Sequence, residues 1–166
     1  MERIEADVCI LGAGSGGLSV AAGAAQMGAR VVLIEGHKMG GDCLNYGCVP
    51  SKALMAAGKH AQAMGSGAAF GVRPVAPEVS YAAAKDHVRA VIDTIAPTDS
   101  QERFECFGVR VIRDWGRFVS PAEVQAGGNN LRAPRLVVAP GARPLGARPP
   151  PARRASPRPP APRAPP

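Results

Sequence analysis

The chain has 166 residues and a formal net charge of +7, a length that fits one domain. The charge is unevenly placed: residues 142–166 hold 10 of the 17 prolines, 6 of the 20 basic residues and no acid, leaving 14 basic against 13 acidic residues before them. A basic nucleic-acid surface is therefore not implied for residues 1–141, and no specific nucleic-acid partner is expected. At the start, MERIEADVCILG offers acids where a secretory signal has a positive start and an apolar run. The apolar stretch from Val8 to Ile34 is broken by glycines, Ser15, Ser19, Gln26 and Arg30. No membrane span is expected, and the expected compartment is the reducing cytoplasm.

Residues 6–11 (ADVCIL) read as a buried strand. GAGSGG follows, then a small-residue helix over 18–28 that stops at Gly28, and a second buried strand over 31–35 (VVLIE). Strand, glycine turn, helix and strand open a doubly wound α/β fold with a parallel sheet, a Rossmann-like dinucleotide-binding domain. A loop with two cysteines comes next. Residues 51–64 look helical, with Pro50 suited to a first turn. A Gly- and Pro-rich connection spans 65–79. Val88, Val91, Ile92 and Ile95 have helical spacing and predict a helix over 80–95, and another is expected over 98–107. Short β-like runs follow at 109–112, 116–120, 122–126 and 135–139, with a Gly-Gly-Asn-Asn turn at 127–130. After Gly141 hydrophobic periodicity stops. The expected division is a partial domain over 1–145 and a disordered Pro/Arg-rich tail over 146–166.

Gly12-x-Gly14-x-x-Gly17 lies between the first buried strand and its helix, with Glu35 at the end of the next strand. Gly12 permits the tight turn, Gly14 leaves room for a pyrophosphate, and Gly17 lets helix and strand pack closely. The helix N-terminus offers free N–H groups to phosphate, and Ser15 in the loop before it is a further candidate cofactor-binding residue. Glu35 can accept hydrogen bonds from ribose hydroxyls. The loop alone does not distinguish FAD from NAD.

Cys43 and Cys48 enclose Leu-Asn-Tyr-Gly, and three readings stand side by side. A structural zinc site needs four ligands in close pairs, and Cys9 and Cys106 do not form a second pair. Two inert buried thiols are the second reading. A redox disulfide at a helix start is the third, its thiolate favoured by the helix dipole. His37, His60 and His87 are scattered, and none is placed as a catalytic base. Trp115 and the phenylalanines read as core or β-surface residues.

GGDCLNYGCVPSKAL resembles the active-site segment of the class I pyridine nucleotide-disulfide oxidoreductases, which include dihydrolipoamide dehydrogenase, mercuric reductase and glutathione reductase. Gly12, Gly14, Gly17 and Glu35 match that family's FAD site, and the resemblance runs over about residues 4–145. Leu44 and Ser51-Lys52 are closer to dihydrolipoamide dehydrogenase. Residues 87–121 look like the helical link and β-meander of mercuric reductase-like members. The resemblance implies that NAD(P)H reduces FAD and that FAD reduces a Cys43–Cys48 disulfide. It makes Cys48 the thiolate facing the flavin and Cys43 the interchange thiol that meets a disulfide, dithiol or metal-ion substrate. It sets Lys52 near the flavin ring, Gly41 and Asp42 near the phosphates, and Gly116 and Gly141 near the adenosine half. No metal ligands are implied. Asp42 replaces the commoner Thr of this motif, and Pro140 replaces the Thr of an Ala-Thr-Gly strand end, here Ala139-Pro140-Gly141, removing an N–H.

Family chains continue into an NAD(P)H-binding domain and a dimerisation domain that supplies a histidine base. From Gly146 onward this chain uses Gly, Ala, Arg, Pro and one Ser, which reads as a GC-rich gene out of frame; a natural disordered tail is the other reading. The expectation is an N-terminal fragment of a flavin-dependent disulfide oxidoreductase, itself inactive with NAD(P)H, with a homodimer expected for the intact enzyme alone. The alternatives are a self-standing FAD-binding or redox-relay module, and a tail-driven binder of acidic partners. Arg154-x-x-Pro157-x-x-Pro160 matches a ligand for Pro-recognition domains, as chance allows in such a composition.

Overall fold

The computed structural model describes residues 2–142. The tail expected over 146–166, its Pro-recognition match and the end of the domain expected over 1–145 lie outside them.

Two apolar runs organise the molecule. β2 (Val8–Leu11) and β3 (Val31–Ile34) pair in parallel, Val8 opposite Val31 through Leu11 opposite Ile34. Successive side chains point to opposite faces of a sheet. Accordingly Val8, Ile10, Val31 and Leu33 pack with Leu18 and Ala21 of the first helix, α1 (Ser15–Gln26), and with Phe104. Cys9, Val32 and Ile34 pack on the other side with Ile4, Val124 and Leu131. Burial on both faces explains why these strands read as unbroken apolar stretches. β4 (Arg110–Ile112) and β8 (Arg135–Val138) complete a four-stranded parallel sheet in the order β4-β3-β2-β8.

A second sheet covers the Cys9 face. Its order is β1-β7-β6-β5, from β1 (Glu2–Glu5), β5 (Arg117–Ser120), β6 (Glu123–Ala126) and β7 (Asn129–Arg132). Two of these strands depart from expectation. β1 is polar apart from Ile4 and forms by pairing in parallel with β7. The turn expected over 127–130 narrows to Gly127 and Gly128, whose φ values are +56° and +73°, and Asn129 and Asn130 enter the ladder instead.

The helices also shift at their ends. α1 begins at Ser15 rather than 18, and Gly28 follows it with φ +85°. The cysteine loop contains a short helix, α2 (Gly41–Asn45), and α3 (Cys48–Gly65) begins at Cys48 rather than 51. α4 (Tyr81–Ile95) is capped by Ser80, whose hydroxyl accepts the Ala83 N–H. The helix expected over 98–107 is a 3-10 turn, Ala96–Asp99, followed by α5 (Gln101–Cys106). Its break falls at Ser100, which caps α5 through the Arg103 N–H. Among the described residues no helix is long and apolar enough to cross a membrane.

Candidate functional site

Parallel strands carry their chain to one common edge, and a crevice outside that edge is where such sheets bind ligands. Here a cleft of about 490 Å³ opens there, lined by Gly12 and Gly14 after β2, Glu35 after β3, Gly116 beyond β4 and Gly141 after β8. Gly41 and Asp42 at the start of α2 close another side. Seven residues expected to bind a cofactor therefore line one cleft.

The glycines divide the work as their positions predict. Gly12 has φ +107°, and a methyl group there would stand 2.1 Å from the Ala139 carbonyl oxygen. A methyl on Gly17 would stand 1.8 Å from the Gly12 carbonyl oxygen, so α1 sits against the loop itself. Gly14 is different: the nearest atom to a methyl there is Gly41 Cα at 3.9 Å, and the remaining space belongs to the cleft. No side chain caps α1 at Gly14. Its first N–H groups, with the positive end of the helix dipole, are left for an anion. Ser15 is the exposed first residue of that helix, beside the cleft rather than in its lining.

Glu35 already holds the loop in place. One carboxylate oxygen accepts the Ala13 N–H at 2.6 Å and the other accepts the His37 N–H at 2.7 Å. Each oxygen retains a second lone pair for a ligand hydroxyl. These features fit a dinucleotide: an open glycine cradle, an uncapped helix start and a carboxylate beside them. Two residues work against it at the phosphate side. Asp42 brings a negative group, and Pro140 lacks an N–H.

Cys43 stands in the middle of α2, and Cys48 opens α3 just beyond it. The Tyr46 and Gly47 N–H groups both donate to the Asp42 carbonyl, at 2.9 and 2.6 Å, and this turn sends Cys48 back toward Cys43. The Cys43 thiol is held above its ordinary pKa, first by its hydrogen bond with Cys48 and then by burial; the Asp99 carboxylate adds a smaller push. Cys43 therefore keeps a proton to share with the Cys48 sulfur. Cys48 is the exposed first residue of the 18-residue α3. Pro50 lies in the same first turn, where the N–H it lacks has no helical acceptor. Cys9 contrasts with the pair: it is fully buried, and burial pushes its thiol up to about 11. Cys106 is exposed at the end of α5. No three metal-ligating side chains gather in one place among the described residues. Lys52 is exposed on α3, one turn beyond Cys48, outside the cleft lining.

The cleft also gathers residues that sequence reasoning passed over. His37 and Tyr46 stack with ring centroids 6.2 Å apart, and His37 Nε2 lies 3.0 Å from the Tyr46 hydroxyl. Lys38 Nζ lies 5.2 Å from the Tyr46 ring centre. Trp115, expected in the core or on a β-surface, is 71% exposed and forms part of the cleft wall. Among the phenylalanines Phe104 is buried, whereas Phe70 and Phe118 are exposed. The signal for Trp115 was its place next to Gly116, already a candidate.

Residues 6–152 match the family described as pyridine nucleotide-disulphide oxidoreductase. The chain belongs to that family. It is 34% identical to glutathione reductase of Burkholderia cepacia, the match covering 87% of this chain and 32% of the relative. It is 35% identical to dihydrolipoyl dehydrogenase of Synechocystis sp., over 83% of this chain and 30% of that one. Mercuric reductase of Lysinibacillus sphaericus is 30% identical, over 83% and 25%. The chain thus spans about a third or less of the length of these relatives. In fold it is similar to the HOCl-induced flavoprotein disulfide reductase RclA from Escherichia coli, with a TM-score of 0.68 and 20% identity over 85% of this chain and 29% of that one. Membership implies FAD and NAD(P)H as the family's cofactors.

Proposed function

We propose that this chain is the FAD-binding and redox-disulfide part of a flavin-dependent disulfide oxidoreductase. Electrons that enter from NAD(P)H reach Cys43 and Cys48 and pass on to a small disulfide, a dithiol or a metal ion. The observation that carries the reading is the path of α2. It starts in the wall of the nucleotide cleft at Gly41 and Asp42 and leads directly to Cys43, against which Cys48 is folded back.

Gly12, Gly14, Ser15 and Gly17 would hold the diphosphate at the start of α1, and Glu35 a ribose. Gly116 and Gly141 would border the adenosine half, and Lys52 would lie toward the flavin ring. FAD, when bound, supplies two-electron exchange with a nicotinamide and with thiols. The cysteines do the rest. On accepting two electrons and one proton their S–S bond opens to a thiol and a thiolate, the proton staying on Cys43, whose thiol is held above its ordinary pKa. Re-oxidation by substrate returns the electron pair, releases that proton and closes the bond. Cys43 is the thiol that meets substrate. A cytoplasmic setting, where thiols are kept reduced, suits such a pair. The substrate stays at the level of class, because relatives of three different activities match at 30–35% identity.

The test is to purify the full chain, record flavin absorbance with and without added FAD, and titrate thiols before and after mild oxidation. The expected result is bound flavin and two thiols lost together, with that loss abolished in Cys43→Ser and in Cys48→Ser. A colourless protein that rejects FAD overturns the reading. Reduction of the bound flavin by NADH would show that this chain also admits the donor; its absence would favour a flavin-binding relay.

A further inference from the structure

We propose that Trp115 is the base-stacking wall of the cleft, receiving the adenine of the bound nucleotide. This rests on the flavin-nucleotide reading above and assigns one part of the ligand to one side chain of this chain.

The strand order supplies the argument. Across the sheet edge the order is β4-β3-β2. β2 ends in the glycine loop and the uncapped start of α1, which suit a diphosphate. β3 ends in Glu35, which suits a ribose. Three residues past β4 comes Trp115. A nucleotide laid across these ends with its diphosphate at β2 and its ribose at β3 brings its base over β4, where the indole is. The other flat ring of FAD is drawn elsewhere. It must meet the thiols, which follow α2, and α2 touches the glycine loop through Gly14 and Gly41.

The indole is held for this use. The backbone N–H of Trp115 donates to one Asp114 carboxylate oxygen at 2.7 Å, and the Gly127 N–H donates to the other at 2.6 Å, which fixes the main chain that carries the ring. Its ring lies on Gly36, where a methyl group would stand only 2.4 Å from Trp115 Cδ2. Gly36 therefore acts as the seat of the ring. Despite that support Trp115 remains 71% exposed, and the open part belongs to the cleft wall. A large rigid aromatic surface left toward a cleft is suited to stacking on a base.

Trp115 is the chain's one tryptophan, so its emission reports on this wall alone. The full chain is titrated with ADP and, separately, with inorganic pyrophosphate, while Trp115 emission and binding heat are both followed. ADP should change the emission saturably, and pyrophosphate should leave it unchanged at concentrations that compete with ADP. Trp115→Ala should weaken ADP about tenfold, with Trp115→Phe in between. Gly36→Ala, which displaces the ring without removing it, should weaken ADP while the far-ultraviolet dichroism stays native. If ADP binds by heat but the emission is unmoved and Trp115→Ala binds equally well, the assignment of Trp115 falls and the nucleotide reading stands. If neither ADP nor FAD binds the unsubstituted chain, the nucleotide reading falls and takes this assignment with it.

Discussion

The two central strands and the α3–α4 hairpin hold their shape in different ways. In β2 and β3 Cys9, Ile10 and Leu33 are completely shielded, and both faces of the sheet are covered. On α3 only Ala53 is buried, and on α4 no residue is. Leu54, Met55, Met64 and Tyr81 stand 42%, 62%, 48% and 66% exposed, and the two helices lean chiefly on each other. The cofactor cleft grows from the first kind of structure. Cys48 begins the second kind, and is placed by a backbone turn onto Asp42. Local opening costs less where few apolar contacts are lost. Of the thiol pair, Cys48 is thus carried by the more yielding part of the molecule, while Cys43 on α2 and the proposed nucleotide seat adjoin the stiffer one.

Substitutions can break this contrast. Leu33→Ala removes a side chain buried from all sides and should cost about 2–5 kcal/mol, read by urea unfolding. Gly12→Ala combines a left-handed backbone position with a collision against the Ala139 carbonyl. It should cost about 1–3 kcal/mol and also weaken FAD binding, because relieving the collision moves the loop. Ser80→Ala removes the cap of α4 and should cost about 1 kcal/mol without touching FAD affinity. Met55→Ala on the exposed side of α3 should change stability by less than about 0.5 kcal/mol. A Met55→Ala cost comparable to that of Leu33→Ala would end the distinction between the two regions.

The same difference decides what could be read before the fold was seen. β2, β3 and the loop between them were legible because local rules agree there: apolar runs of strand length, glycines at the turn, and an acid at the next strand's end. β1 was not, because ERIE shows a single buried residue and becomes a strand through β7, far away in the chain. Asn129 and Asn130 carry turn chemistry yet pair in a ladder, a case of tertiary context overriding propensity. α2 was hidden because five residues containing Gly, Asp and Asn have little helical preference of their own. In the site, the glycines and cysteines were legible as motifs. Trp115, His37 and Tyr46 were not, since an aromatic residue reads as core until its surroundings are known. What keeps Trp115 at the cleft is Gly36, distant in sequence and without any pattern that announces it.

The smallest expected effect separates the two ends of the parallel sheet. At the end away from the cleft, Asp7 before β2 accepts the Arg30 N–H at 2.8 Å and pairs with the Arg30 guanidinium at 2.9 Å. This bonding lowers the Asp7 carboxyl to about 2, below its ordinary 3.8. A carboxyl lowered in the folded state stabilises the fold above its unfolded pKa, and that contribution is lost as pH falls through the folded value. The loss from Asp7 should therefore run from about pH 4 down to about pH 2. Glu2 beside Arg110, and Asp114 under the Gly127 and Trp115 N–H groups, are lowered as well, so the acid limb is not Asp7's alone. Asp7→Asn isolates its share. The variant and the unsubstituted chain should unfold alike near pH 2 and differ slightly above about pH 4, the pair being solvent-exposed and screened. FAD affinity should be the same in both at neutral pH, because the substitution touches the strand starts and the cleft is built on the strand ends. A matching loss of FAD affinity would mean that the sheet transmits strain along its length, and that the stiffness assigned to the nucleotide seat depends on a surface ion pair at its opposite edge.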